Sequence, residues 1–261
     1  MTNRLVFLFI AFFALFPLAV LAVYTVAPGW TWPQLVPEEL SYRGLVYLAN
    51  HASDIGSKLL SSMAYSFCTV LLSLILCIMP AHHFARCRFT GKRFLEGLLL
   101  APALVPSMTF SMGVHVMFIH AGLADTFPGV VLVLTLFSYP YMLRALVAGY
   151  QAVGPEYEQC AANLGASPLR IFLKVELPLL IPAVVAGASI VFLVAFSEYF
   201  LVFLIGGGAV DSYTGYLFPF LNSSDRSVGS ALTLLFLAVP ISLFFAVEYL
   251  TARVYRGRGM Y

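Results

Sequence analysis

Charge is the scarcest property of this chain. Of its 261 residues only 10% are Asp, Glu, Lys or Arg, whereas a soluble domain carries about 25%. No basic block gathers the few cations into a surface for nucleic acid, so no nucleic-acid partner is expected. Cysteine is scarce as well. There are four, with no CxxC pair, and Cys87 and Cys160 fall in stretches read below as cytoplasmic, where disulfides are disfavoured. His115 and His120 are too isolated to argue for a metal, and His82-His83 reads as a pair solvating the inner surface. No HExxH, GxSxG or metal-ligand cluster is present, which speaks against a membrane-embedded enzyme. No Walker A sequence is present either, so the chain is not expected to bind or hydrolyse ATP. No cofactor and no metal are expected.

What remains is apolar. Hydrophobic residues make up 61% of the chain and the mean hydropathy is +0.92. That much apolar surface has no soluble core to fill, so its solvent is lipid. An α-helical span needs roughly 20 apolar residues to cross a layer about 30 Å thick at about 1.5 Å per residue. Six segments meet that length: Leu5 to Ala27, Leu59 to Pro80, Phe94 to Ile119, Phe127 to Val147, Leu179 to Ile205 and Val228 to Leu250. The first is too long for a cleaved signal core and reads as a retained helix. The expected fold is an all-α integral membrane domain over 1–261.

Basic residues set an orientation. Arg4, the Arg86/Arg88/Lys92/Arg93 cluster, Arg144/Arg170/Lys174 and Arg253/Arg256/Arg258 share one side and account for eleven of the 14 basic residues. Both termini are therefore expected in the cytoplasm. Trp30 and Trp32 follow the first span, where amphipathic rings suit the outer interface. The outer segments are then 28–58, 120–126 and 206–227, and the inner ones 81–93 and 148–178.

The inner segment 148–178 encodes two short helices and a sharp turn. Gly154-Pro155 stops the fourth span and opens the first short helix, with Pro at N1. Glu156 and Glu158 lie in its first turn, beside the positive end of the helix dipole. Cys160, Ala161 and Ala162 are small and let another surface come close. Gly165 stands where a helix C′ residue needs positive φ. Ser167-Pro168 reads as N-cap and N1 of the second short helix, and Leu177-Pro178 returns the chain to the membrane. Gly149, outside this turn, is expected to accept alanine more readily than Gly165 accepts valine.

At these residues the chain resembles the permeases of type I ABC importers. Glu158-Gln159-Cys160-Ala161-Ala162-Asn163-Leu164-Gly165-Ala166-Ser167, then Leu177-Pro178, is similar to that family's EAA loop, E-A-A-x-x-x-G with a later L-P pair. Gln159 replaces the Glu, Cys160 the first Ala, and Ala161 keeps the second. The order of six spans, with the loop between the fourth and fifth, fits as well. The resemblance implies a type I importer permease fold and a loop that docks onto a separate ATPase through Glu158, Gln159, Cys160, Ala161, Leu164, Gly165, Ala166, Ser167 and Pro168. It further implies a second permease subunit, two ATP-binding cassette subunits, an extracytoplasmic substrate-binding protein and a lipid environment. Ser197-Glu198-Tyr199 with Gly206-Gly207-Gly208 resembles the polyamine, ferric-iron and thiamine group.

Inside the spans, Glu198 stands out as an acid in the outer part of the fifth segment. It is a candidate for the translocation path or, equally, for capping a helix contact. Glu96 is read as an i,i+4 partner of Lys92. Pro102 and Pro106, like Pro178 and Pro182, mark bends. The loop after Gly206 is glycine-rich with aromatic residues between its polar ends. An ion-coupled secondary transporter is the alternative, but it calls for paired intramembrane carboxylates, and only Glu198 lies well inside a span.

Overall fold

A computed structural model describes residues 2–30, 33–34, 36–37, 39–223 and 225–257; Trp32 and Arg258, used above, lie outside them. Among the described residues there are helices and no strands. The helices are α1 (Thr2–Val26), α2 (Arg43–Asn50), α3 (Ala52–Arg86), α4 (Lys92–Leu100), α5 (Ser107–His120), α6 (Phe127–Val153), α7 (Glu156–Asn163), α8 (Pro168–Ile171), α9 (Leu177–Ser197), α10 (Phe200–Gly206), α11 (Tyr213–Leu221) and α12 (Arg226–Gly257). Among the described residues five helices are long and apolar enough to cross a membrane, or six if one bent pair is a single span.

The chain forms two compact units, residues 1–61 with 211–243 and residues 62–210 with 244–261. In the first, Ile55, Tyr213, Leu217, Val228 and Leu232 form the buried core. Ser227 joins three segments there: its hydroxyl donates to the Thr25 carbonyl at 2.7 Å and accepts the Gly44 N–H at 3.0 Å. The stretch after Gly206 is more ordered than its glycines suggest. Gly207 and Gly208 turn at positive φ, and Ser212 then caps α11 by accepting the Gly215 N–H at 3.0 Å.

In the second unit the central contact is α6 against α9, and it is close because both helices offer glycine. A Cβ on Gly149 would lie 2.4 Å from the Ala183 Cβ, and one on Gly187 would lie 2.8 Å from the Met142 sulfur. Small residues let helix backbones approach in lipid, where packing rather than water exclusion drives association. The expected tolerance of Gly149 to alanine is therefore corrected: the position has no room. On α3, Ser62, Ser66, Thr69 and Ser73 form a buried polar stripe. Ser66 and Thr69 return their hydroxyl protons to carbonyls four residues back, so they are buried without a polar penalty.

Three expected spans differ in detail. α3 starts at Ala52 rather than Leu59 and runs 35 residues to Arg86, about 52 Å of rise against an apolar layer of about 30 Å. The expected third span is two helices bent by 91°. Pro102 enters a 3-10 turn over Ala101–Ala103, and Pro106, at ψ 126°, is the N-cap of α5; proline lacks the N–H that would continue the helical ladder. Lys92 donates to the Cys87 carbonyl at 3.2 Å, so the expected Lys92–Glu96 pair is not made. The fifth span ends at Ser197, with Glu198 in extended geometry before α10.

Candidate coupling site

α6 ends where its sequence runs out of side chain. Gly154 is its C-cap at φ +74°, and its N–H reaches the Tyr150 carbonyl at 3.2 Å. Pro155 then takes the N-cap of α7, one position earlier than the expected N1. The far end of α7 closes in a Schellman turn: Gly165 N–H donates to the Ala162 carbonyl at 2.9 Å and Ala166 N–H to the Ala161 carbonyl at 3.1 Å. That pairing places C′ in the left-handed region, and Gly165 is there at φ +80°. A Cβ at Gly165 would meet nothing within 4 Å, so the requirement for glycine comes from the backbone alone.

Ser167 is the N-cap of α8 and Pro168 follows inside the helix, as expected, although the Ser167 hydroxyl makes no cap bond. The chain does not break again at Leu177-Pro178. Residues Phe172–Glu176 form a π-helical turn that leads straight into α9, and one helix runs from Pro168 to Ser197. Pro178 has no N–H, and in α geometry its ring would collide with the carbonyl four residues back. The wider turn before it, closed by the Leu177 N–H on the Phe172 carbonyl, moves that carbonyl aside.

The loop's residues divide into two sets. Leu164 is 84% exposed and Leu169 68%, and Gln159, Cys160, Gly165, Ser167 and Pro168 are exposed beside them. Ala161 and Ala166 are half-buried. Glu158 turns the other way. Its Oε1 accepts from Arg86 Nε at 3.0 Å and from Nη2, and its Oε2 lies 3.3 Å from His82 Nε2. Arg86 also donates Nη1 to the Tyr150 carbonyl at 2.7 Å and Nη2 to the Gly154 carbonyl. Both carbonyls lie at the C-terminus of α6, the negative end of its dipole, where a cation is favourable. Tyr150 OH donates to Glu176 at 3.3 Å, so α3, α6, α7 and the π turn meet at one cluster.

Burial pushes the Glu158 carboxyl up, but hydrogen bonds and charge from Arg86 and His82 outweigh it and hold the group below the usual carboxylate range. His82 is thus a partner of Glu158 rather than a solvating surface residue. The candidate donor atoms of His82, Glu158 and Glu176 all lie within 4.8 Å of one another, spacing that a metal could use. The guanidinium already bound to Glu158 makes the cluster an ion-pair network instead. Sequence reasoning missed Arg86, His82 and Glu176 here; a basic residue and a histidine one turn apart at a helix end were the available signal.

Glu198, the other candidate, is separate from this cluster. It is half-buried, and its Oε1 accepts the Leu201 N–H at 3.2 Å, in the first turn of α10.

The family of binding-protein-dependent transport system inner membrane components matches residues 73–256. The trehalose transport system permease protein SugB of Mycobacterium tuberculosis is 30% identical over 72% of this chain and 66% of its own length. The sulfate transport system permease protein CysT of Escherichia coli is 25% identical over 94% of this chain and 90% of its own. In fold the chain is similar to one from the crystal structure of a bacterial ABC transporter that imports the acidic polysaccharide alginate. That match has a TM-score of 0.72 and 17% identity and covers 95% of this chain and 94% of that one. With a family match across 73–256, a helical fold of five or six spans and relatives that are permeases, this chain belongs to the inner-membrane components of binding-protein-dependent transport systems and is a multi-pass permease subunit of an ABC importer.

Proposed function

We propose that 148–178 is the surface on which a separate ATPase docks, and that the whole chain, 1–261, acts as one half of a translocation pathway beside a second permease subunit. Two ATP-binding cassette subunits drive the pair, and an extracytoplasmic binding protein delivers the cargo. The observation that supports this most is the division of the loop: Leu164 and Leu169 stand out in solvent, while α7, the first short helix, is clamped from its other side by Arg86. An exposed apolar knob on a rigid base suits a partner's groove.

The test is copurification. An ATPase should copurify with the tagged chain, and Gly165→Val should detach it, because a β-branched residue at positive φ is strained by about 1–3 kcal/mol. Normal membrane levels with the ATPase lost are expected; parental attachment and parental import would remove the loop from the coupling path.

The cytoplasmic placement of both termini is proposed on the same terms. Cysteines at Ser41 and Ser223 should react with an impermeant thiol reagent from outside, and one at Ser167 should not; the reverse pattern would invert the chain. Glu198 is retained as a pathway residue for a cationic cargo, in keeping with the resemblance of 197–208 to polyamine and iron permeases. Glu198→Gln should then lower import with assembly and basal ATP hydrolysis unchanged, whereas unaltered import kinetics assign it to the α10 cap alone.

A further inference from the structure

Arg86 is the last residue of α3, and the loop it holds begins more than sixty residues later. Its side chain is 12% exposed, and its guanidinium bonds three acceptors on two elements: the Glu158 carboxylate of α7 and the Tyr150 and Gly154 carbonyls that close α6. The guanidinium presents its donors in one fixed plane, so meeting all three fixes how α7 sits against α3 and α6. His82, one turn earlier on α3, holds the second oxygen of Glu158.

The loop's two ends are attached differently. Toward α9 the helix is continuous through the π turn, so displacement of α8 reaches α9 through covalent helix. Toward α3 there is no such path. α7 lies between Gly154 and Gly165, both at positive φ, and turns on glycine resist rotation weakly. Without the guanidinium, α7 can swing while α3 stays still.

We propose that Arg86, through Glu158, is the positioning residue that transmits displacement of the loop to α3, so that one docking surface drives two spans. The proposal rests on the docking function assigned to 148–178. A cluster that served only to hold the fold would, when broken, lower stability and leave the response of α3 to nucleotide as it was.

The experiment uses the full chain in complex with its copurifying ATPase, the four native cysteines replaced by serine and a single cysteine placed at Ser57, an exposed position near the start of α3. The maleimide labelling rate is measured nucleotide-free and after trapping with ATP and orthovanadate. In the parent the rate should change at least about fivefold, the low end of an allosteric coupling. Arg86→Ala, which alters no residue of the docking surface itself, should still trap vanadate yet lose that change.

Should Arg86→Ala not assemble, Arg86→Lys decides. It keeps the charge, but a single ammonium does not span a carboxylate and two carbonyls, so the change should fall by at least about half. A parental response in whichever variant assembles overturns the proposal, as does a parent whose Ser57→Cys rate ignores nucleotide. A parent that holds no ATPase at all overturns the docking function first, which separates the two failures.

Discussion

α1 and α6 are apolar helices of similar length, 25 and 27 residues, in opposite surroundings. In its most apolar stretch α6 is 67% buried within the chain, while α1, the more apolar of the two, is 6% buried. Phe9, Phe12, Phe13 and Phe16 of α1 stand exposed. Leu134, Ser138, Met142, Leu146 and Tyr150 of α6 are enclosed. In water the more apolar helix would be the one inside. In lipid, apolarity carries no such instruction, because acyl chains are as apolar as leucine. Burial goes instead to the helix that allows close approach, and α6 does so at Gly149 and, across from Met142, at Gly187.

The largest expected effect tests that contrast head on. Gly149→Ala should lower the stability of the purified chain by about 1–3 kcal/mol, as overpacking in a close-packed contact does. Phe12→Ala should change it by less than about 0.5 kcal/mol, as at an exposed site. Thermal unfolding in one detergent measures both. If Phe12→Ala proves as damaging as Gly149→Ala, the aromatic face of α1 is covered by protein and the contrast with α6 is lost.

A smaller effect should appear with pH at the C-terminal end of α6. Glu158 has its carboxyl lowered in the folded chain from an ordinary value of 4.5. A lowered acid contributes stability above its unfolded pKa and loses it as pH falls through the folded one. The parent should therefore exceed Glu158→Gln in stability at neutral pH. That gap should begin to close as pH drops below about 4.5 and vanish once the folded group is protonated. A gap independent of pH would mean that shape, rather than charge, holds α7 to α3.

The loop's backbone was the most legible part of the chain. Gly165 and Ser167-Pro168 are local signals, and the positive φ and the start of α8 depend on residues only a few positions apart. Hydropathy found the spans because length and apolarity are summed over a window. It could not see that the third would fold at Leu104–Pro106, since both halves are apolar and the prolines alone marked a bend. The Arg86–Glu158 link lay beyond it for another reason. A cation near a cytoplasmic helix end already has an explanation in orientation, and nothing local shows that its partner lies 72 residues on. Gly149 was misread because its neighbour, Ala183, is on another helix.

The π turn at Phe172–Glu176 gives the helix that runs from α8 into α9 a definite phase. A π turn accommodates one residue beyond the α repeat, and moving such a bulge along a helix rotates the stretch that it passes by about 100°, the step of one residue at 3.6 per turn. Pro178 blocks that migration toward α9, because the bulge is what keeps the proline ring clear of the preceding turn. The angular setting of Leu169 relative to α9 is thereby indexed by a single imino acid.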